Sequence, residues 1–371
     1  MTDPPVPVVK DLVLVGGGHA HIAVLKRFGM RPVPGVRVTL VTRDVHTPYS
    51  GMLPGLVAGH YSFDDVHIDL ARLSRFAGAR FYHESVVGLD LSGRQVICDS
   101  RPPVPYDLLS INVGSTPSFK SVPGAEQVVV PVKPISAFVE RWACVRERVA
   151  AASGAVRVGV VGAGAGGVEL LLAAQFALRE MLVAQGRPSH VPEFHLFGAS
   201  ESILPTHNRG MRLRLARVLR DRGVAMHLGQ AITAVEPGRV IRADGTTVAL
   251  DEVLWVTQAG APRWPAASGL AADDAGFIQV DDTLRSISHS EVFAAGDVAA
   301  VLNHPREKAG VFAVRQGPPL ANNLRQVLCG LAPRSFYPQR RFLTLVSTGG
   351  RHAVGARGPW SFEGSLVWRW K

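Results

Sequence analysis

The chain has 371 residues, 47% hydrophobic and 19% charged, a globular composition that excludes intrinsic disorder, and its length calls for two or three units of about 100 to 200 residues each. The formal net charge of +10 favours phosphates, nucleic acid or anionic lipid, but its arginines are scattered with no basic run interleaved with aromatics, which argues against nucleic-acid binding. Cys98, Cys144 and Cys329 stand far apart, without metal or disulfide spacing, the opening MTDPPVPVVKD lacks a leader pattern and no run of about 18 apolar residues occurs, so a cytoplasmic, non-spanning protein is expected.

The first pattern is a short apolar run, Lys10 to Val15, then Gly16-Gly17-Gly18, then apolar residues at helical spacing from His21 to Phe28. It reads as strand, turn and helix. In such a unit the first glycine permits a tight turn, the second lets backbone approach a pyrophosphate, and the helix N-terminus supplies oriented N–H groups. Gly16, Gly18, His19 and Ala20 are therefore candidate phosphate-binding positions, against the plainer reading of a glycine-rich turn with no ligand. His21 departs from the pattern, standing where Gly or Ala allows close packing of helix on strand. Val36 to Val41 reads as the second strand, at whose end an acidic residue is expected for a ribose. Thr42, Arg43 and Asp44 follow, so either Asp44 is displaced by two positions or Thr42 serves. Ala79 to Leu91 and Tyr106 to Val113 add strand-like runs, making this part α/β.

After a helical stretch from Pro131 to Ala152, the strand Val156 to Val161 leads into Gly162-Ala163-Gly164-Ala165-Gly166-Gly167. This is a complete GxGxxG in strand–helix context, with Gly162, Gly164 and Gly167 as a second set of dinucleotide ligands. Its second strand, Glu193 to Phe197, ends in Gly198, where neither a ribose carboxylate nor an arginine for a 2′-phosphate stands, leaving NADH and NADPH both open. An Arg-rich amphipathic helix (Arg209 to Arg222) and a strand (Glu252 to Thr257) follow. Thr283 then precedes Glu291 to Asp297, a strand ending in Gly296-Asp297, which places a carboxylate at the tip of a sheet where ribityl hydroxyls can bond to it. Lys308 to Leu328 reads as a helix interrupted or kinked at Pro318-Pro319. In the tail, Phe342 to Val346 and His352 to Gly355 are strand-like, and Trp360, Phe362, Trp368 and Trp370 form either a packing face or a membrane-interface surface.

This order of motifs, with Tyr106-Asp107-Leu108-Leu109-Ser110-Ile111-Asn112-Val113-Gly114-Ser115-Thr116-Pro117 between the first two, resembles the pyridine nucleotide-disulfide oxidoreductase superfamily over residues 10 to 371. The resemblance implies two Rossmann-like domains, the nicotinamide domain (125–262) inserted in a discontinuous FAD domain (1–124 and 263–330), plus a small C-terminal α+β segment (331–371). It implies FAD as cofactor, NADH or NADPH as substrate, and hydride transfer from nicotinamide to flavin. In the segment that recrosses near the flavin, Asn112-Val113-Gly114 replaces Ala-Thr-Gly, keeping Gly114. The stretch His46 to Gly55 holds no CxxxxC pair, so a dithiol relay is excluded there; it resembles type II NADH dehydrogenases and sulfide:quinone oxidoreductases, with Pro54 beside the flavin. Val86 is a further implied FAD contact. By the same resemblance Glu169 points toward the nicotinamide pocket, or is simply a helix-terminal carboxylate, and Gln316 neighbours flavin and quinone. Lys308 approaches the flavin pyrimidine or is a solvated cap. GGGHAH, TPYSGMLPGLVAGHY, HIDLARL and KAGVFAVRQGPPLANNL are similar to the flavoprotein module fused to selenide, water dikinase in some bacteria. Relatives would continue past Trp368-Arg369-Trp370-Lys371, so an incomplete C-terminal helix is expected. The histidines His19, His21, His46, His60 and His67 share no helical face, and no metal is expected. Two readings follow: an NAD(P)H dehydrogenase passing electrons to a quinone or other small acceptor, or a flavin module serving a partner, with a sulfide:quinone oxidoreductase-like enzyme as a further alternative. A homodimer and a peripheral place on the inner face of the membrane accompany the first.

Overall fold

The computed structural model describes residues 7–117, 122–257, 259–339 and 341–371; most of the opening MTDPPVPVVKD, residues 1–6, lies outside them. Its principal elements, in chain order, are β1 (Lys10–Val15), α1 (His19–Met30), β2 (Val36–Thr42), β3 (Arg80–His83), β4 (Leu108–Ile111), α2 (Ile135–Ala151), β5 (Arg157–Val161), α3 (Ala165–Ala184), β6 (Glu193–Phe197), α4 (Arg209–Asp221), β7 (Ala225–His227), β8 (Glu252–Trp255), β9 (Val292–Ala294), α5 (Gly310–Leu328), β10 (Thr344–Ser347), β11 (Ala353–Arg357), β12 (Trp360–Gly364) and α6 (Ser365–Trp370). They form two compact units: Met1–Tyr49, His67–Thr116 and Ala259–Pro338 in one, Ser50–Val66, Pro117–Gln258 and Gln339–Lys371 in the other.

The first unit is built on a parallel sheet in the order β9-β4-β1-β2-β3. Leu12 to Val15 are all buried, as a strand covered on both faces must be, which is why the sequence shows an unbroken apolar run there. α1 and α5 pack together. They approach closely at Gly317, where a Cβ would lie 2.6 Å from Ala23 Cβ and 3.2 Å from the Ala20 carbonyl oxygen. Of the interruption or kink expected at Pro318-Pro319, the interruption does not occur: the helical run continues through both prolines. Two N–H donors are lost, but Gly317, Leu320, Ala321 and Leu324 are buried, and packing of that face outweighs the local preference. A three-stranded antiparallel sheet, Val86–Asp90, Gln95–Cys98 and Val104–Pro105, belongs to the same unit.

The second unit repeats the plan, with a parallel sheet in the order Val130–Pro131, β8, β5, β6, β7. α2 buries Phe138, Trp142, Val145 and Val149, the four- and three-residue spacing of one helix face. Arg148 on α2 clamps the buried Glu252 of β8 through both guanidinium edges, Nη2 to Oε2 at 2.8 Å. Antiparallel strands Ile232–Glu236, Arg239–Arg242 and Thr247–Ala249 contribute to a separate core with Phe197, Val161 and Trp255. The tail forms the antiparallel sheet β10-β11-β12 followed by α6; Trp360 and Phe362 lie on β12, and Trp368 and Trp370 on α6. Among the described residues no helix is long and apolar enough to cross a membrane.

Candidate dinucleotide sites

In the first unit the glycine turn is packed tightly on its protein side. Gly16 has φ +92°, and a Cβ there would lie 2.6 Å from the Asn112 carbonyl oxygen. A Cβ on Gly17 would meet Leu70 Cδ1 at 2.3 Å, and one on Gly18 would meet Asn112 Oδ1 at 2.2 Å. Asn112, a departure from the superfamily pattern in sequence, is the hub of this turn. Its Oδ1 accepts from the N–H of Ala20 at 3.1 Å, its Nδ2 donates to the Ala295 carbonyl at 2.6 Å, and its own carbonyl accepts from Gly18 N–H at 3.1 Å. One amide thus joins the start of α1 to the turn after β9.

The other departure, His21, is fully buried on α1. Its Nδ1 lies 2.6 Å from the Gly16 carbonyl oxygen and its Nε2 2.9 Å from Ser110 Oγ. A carbonyl can only accept, so Nδ1 carries the proton and Nε2 accepts from the serine. Burial pulls this histidine's pKa from its ordinary value down to about 4. The sign follows from linkage: the unfolded chain binds a proton near pH 6.5 that the folded chain refuses until about pH 4. This contribution is intact above pH 6.5 and is lost as pH falls toward 4. We expect roughly 2 kcal/mol of extra destabilisation between pH 7 and pH 5, measured by denaturant unfolding and absent from His21→Gln; parallel losses in both proteins would overturn it.

His19 sits at the first position of α1, its ring 5.0 Å from that of Tyr49, with its pKa lowered by burial. Its Nε2 is shielded from solvent and has no hydrogen-bond partner among the described residues, as a group awaiting a ligand would be. Ala20 is buried with its N–H committed to Asn112. At the end of β2, the Oγ1 of buried Thr42 would be 3.4 Å from a Cβ on Gly17, whereas the Asp44 carboxylate pairs with Arg43 at 3.1 Å. Of the two ribose candidates it is the threonine hydroxyl that lies against the glycine turn.

Gly296 has φ +72° and donates its N–H to Gln316 Oε1 at 2.6 Å. Ser115 Oγ donates to Asp297 Oδ2 at 3.1 Å. Lys308 lies 3.9 Å above the Phe277 ring and donates to the Ala299 carbonyl at 2.6 Å; burial lowers its pKa, opposed by Asp297 and Asp273. Gln316 and Lys308 therefore hold the backbone on either side of Asp297. Gly114, with φ +73°, has open space where a Cβ would point, and Val86, half-buried, begins the strand Val86–Asp90. The open side of Gly114, the orphaned His19 nitrogen and the aspartate at the sheet tip fit a dinucleotide with a polyhydroxyl chain.

In the second unit the three glycines divide their roles. Gly162 has φ +126° with the Val256 carbonyl 2.5 Å from where its Cβ would be; Gly167 has the Gly162 carbonyl at 1.7 Å; Gly164 has nothing within 4 Å. Tight turn, close helix packing and an unobstructed face for a ligand's phosphates are the three demands of a dinucleotide turn. Gly198 lacks room for any side chain, its Cβ position lying 2.6 Å from Ala163 Cβ. Glu169, in the first turns of α3, is buried; its Oε1 accepts from the Ser347 N–H at 2.5 Å and from the Lys371 ammonium. Pro54 is buried in the short helix Leu53–Val57, which packs on α3. His60 bonds to the Gly349 carbonyl at 2.7 Å between the rings of Phe176 and Trp368.

All three cysteines are free thiols, and among the described residues no three His, Cys, Asp or Glu side chains are grouped to hold a metal.

Two parallel sheets, each entered through a strand, glycine turn and helix, with an aspartate at the tip of the first, define a flavoprotein oxidoreductase with two dinucleotide folds. Residues 10–324 match the pyridine nucleotide-disulphide oxidoreductase family, and the chain belongs to that family; it is an FAD-dependent NAD(P)H oxidoreductase. It is similar to the NADH dehydrogenase-like protein YutJ of Bacillus subtilis, 22% identical across 98% of this chain and 99% of that protein. The type II NADH:quinone oxidoreductase Ndh of Mycobacterium tuberculosis is 24% identical across 96% of this chain and 81% of its own length. Among solved structures, NDH2 from Plasmodium falciparum in complex with NADH shares the fold with a TM-score of 0.83 at 13% identity, covering 97% of this chain and 93% of that one. The sulfide:quinone oxidoreductase from Aquifex aeolicus does so at 0.80 and 20% identity, over 98% and 89%.

Proposed function

We propose that this protein takes hydride from NADH or NADPH on FAD and passes electrons to a quinone or another small acceptor. The observation that carries this reading is the division of roles at Gly162, Gly164 and Gly167, which leaves one face of the second turn free for a nicotinamide dinucleotide; the quinone rests on similarity to the Mycobacterium enzyme. When bound, FAD supplies the hydride-accepting ring. The chain's residues bind and orient: Gly16, Gly18, His19, Ala20 and Thr42 at one pyrophosphate and ribose, with Arg43 and Asp44 beside them, Gly114, Val86, Pro54, Gly296 and Asp297 along the flavin side, and Gly162, Gly164 and Gly167 at the nicotinamide dinucleotide. Residues 125–262 form the nicotinamide-binding domain in this reading, and 1–124 with 263–330 the FAD-binding one. Gln316, Lys308 and Glu169 act as positioning residues, since each is tied to backbone or to another side chain. The strongly exposed Trp360, Leu366 and Trp370, with Arg369 alongside, support a peripheral seat at a membrane; a homodimer on its inner face belongs to the same reading.

A flavin module serving a partner in selenium handling is the second reading, carried by phrases such as GGGHAH and TPYSGMLPGLVAGHY. Anaerobic addition of each nucleotide to the purified yellow protein separates the two. Rapid bleaching of the flavin band by one nucleotide, followed by reoxidation with quinone, is expected. A flavin that neither nucleotide bleaches would overturn the dehydrogenase reading.

A further inference from the structure

A half-open cavity of about 140 Å³ in the first unit is lined by Asp11, Arg37, Thr39, Arg80, Tyr82 and Arg101, with the segment Pro103 to Pro105 along one side. In the parallel register Asp11 lies beside Arg37, Thr39 beside Arg80, and Val41 beside Tyr82. Because side chains alternate along strands, Asp11, Arg37, Thr39, Arg80 and Tyr82 share one face of the sheet. Asp11 stands five residues before Gly16, about 16 Å at about 3.3 Å per residue.

The charges do not cancel. Arg37 is neutralised by Asp11, which it grips at 2.5 and 2.6 Å. Arg80 is exposed, and neither it nor Arg101 has a hydrogen-bond or ion-pair partner among the described residues. Glu84 feels the charge of Arg101 but stays outside ion-pair distance. Arg101 lies over Tyr82, its guanidinium carbon 3.3 Å from the centre of the ring, a cation–π contact that uses none of its N–H donors. Its Nε is cut off from solvent without a partner. Thr39, almost wholly buried, also makes no side-chain hydrogen bond among the described residues. Two uncompensated guanidinium groups and an unused hydroxyl therefore converge on a space ten times what one ordered water needs, about 10 to 15 Å³. The unspent groups are donors, and the one carboxylate is consumed.

We propose that this cavity is a binding site for a phosphate dianion, free or as the monoester of a small molecule, separate from both dinucleotide turns. Forked guanidinium donors match phosphate oxygens, and two free positive charges match two negative ones.

The test is calorimetric titration of the FAD-loaded protein, saturated with NAD⁺, at ionic strength held constant with chloride. The probes are inorganic phosphate, glycerol 1-phosphate and acetate. One saturable phosphate site is expected, at least about tenfold weaker in Arg80→Gln/Arg101→Gln, as loss of charge-assisted hydrogen bonds requires. Flavin content and melting temperature of the variant report its folding; should the pair fail to fold, Arg80→Gln alone, on an exposed side chain, gives the same comparison. Tighter binding of the ester assigns the site to a phosphorylated metabolite, and tighter binding of phosphate assigns it to the free ion. The proposal is overturned if no saturable binding occurs once FAD and NAD⁺ are in place, if the variants bind unchanged, or if acetate binds as well as phosphate.

Discussion

Gly167→Ala is expected to abolish reduction of the flavin by NAD(P)H while the protein remains yellow. The added methyl would fall 1.7 Å from the Gly162 carbonyl oxygen, and a backbone atom cannot swing aside as a side-chain tip can. Helix α3 and the turn must separate by more than 1 Å, and misplacement on the order of 1 Å in a reacting complex costs about 100-fold in rate. We therefore expect at least that loss in anaerobic stopped-flow reduction, with FAD retained because its proposed ligands lie largely in the other unit. Gly164→Ala is the control. Its methyl points into space empty of protein, so it should leave melting unchanged and weaken only the nucleotide. Wild-type reduction by Gly167→Ala would sink the assignment of this turn.

Asn112→Ala is expected to release FAD and to lower stability by about 3 kcal/mol, the order of two buried hydrogen bonds lost together with the desolvation of their orphaned partners. Asn112 is almost inaccessible to solvent. Without it the N–H of Ala20 and the carbonyl of Ala295 lose their partners, and the backbones of Gly18 and Gly296, both shaped around its amide, are free to close on the space. Asn112→Asp keeps the acceptor for Ala20 but sets a carboxylate against the Ala295 carbonyl, so it should lie between wild type and alanine. Flavin absorbance after gel filtration and denaturant midpoints measure both effects; an alanine variant that keeps its FAD and its midpoint would remove Asn112 from the centre of the site.

Residues whose environment is local were legible in the sequence. Lys10–Val15 and Glu193–Phe197 emerge with the bounds that their apolar runs suggest, because a covered parallel strand needs nothing but apolar residues and a glycine to stop it. The glycines of the second turn were legible for the same reason. What was hidden depends on distant partners. Asn112 and His21 looked like defects of two separate motifs, yet each fills the room left by residues far along the chain, Ala295 and Ser110. The close helix contact at Gly317, against Ala20 and Ala23 of α1, likewise joins residues almost 300 positions apart. The prolines of α5 broke a local rule that burial of the helix overrode. The strand Trp360–Gly364 carries no clean alternation of buried and exposed residues, so its pairing with Ala353–Arg357 could not be read from period alone.

The Asn112–Ala295 bond spans 183 residues, and the same interval separates β4 from β9, its neighbour in the sheet. On the ribosome, β1 to β4 therefore emerge long before the strand that covers the outer edge of β4. Every strand of the second parallel sheet, from Val130 to Trp255, is synthesised in the meantime. That sheet can close during translation, while the first waits with an open edge, the kind of template on which chains aggregate. Chains cut short between β8 and β9 should accordingly be insoluble rather than merely colourless, and slow synthesis across that stretch lengthens the exposure.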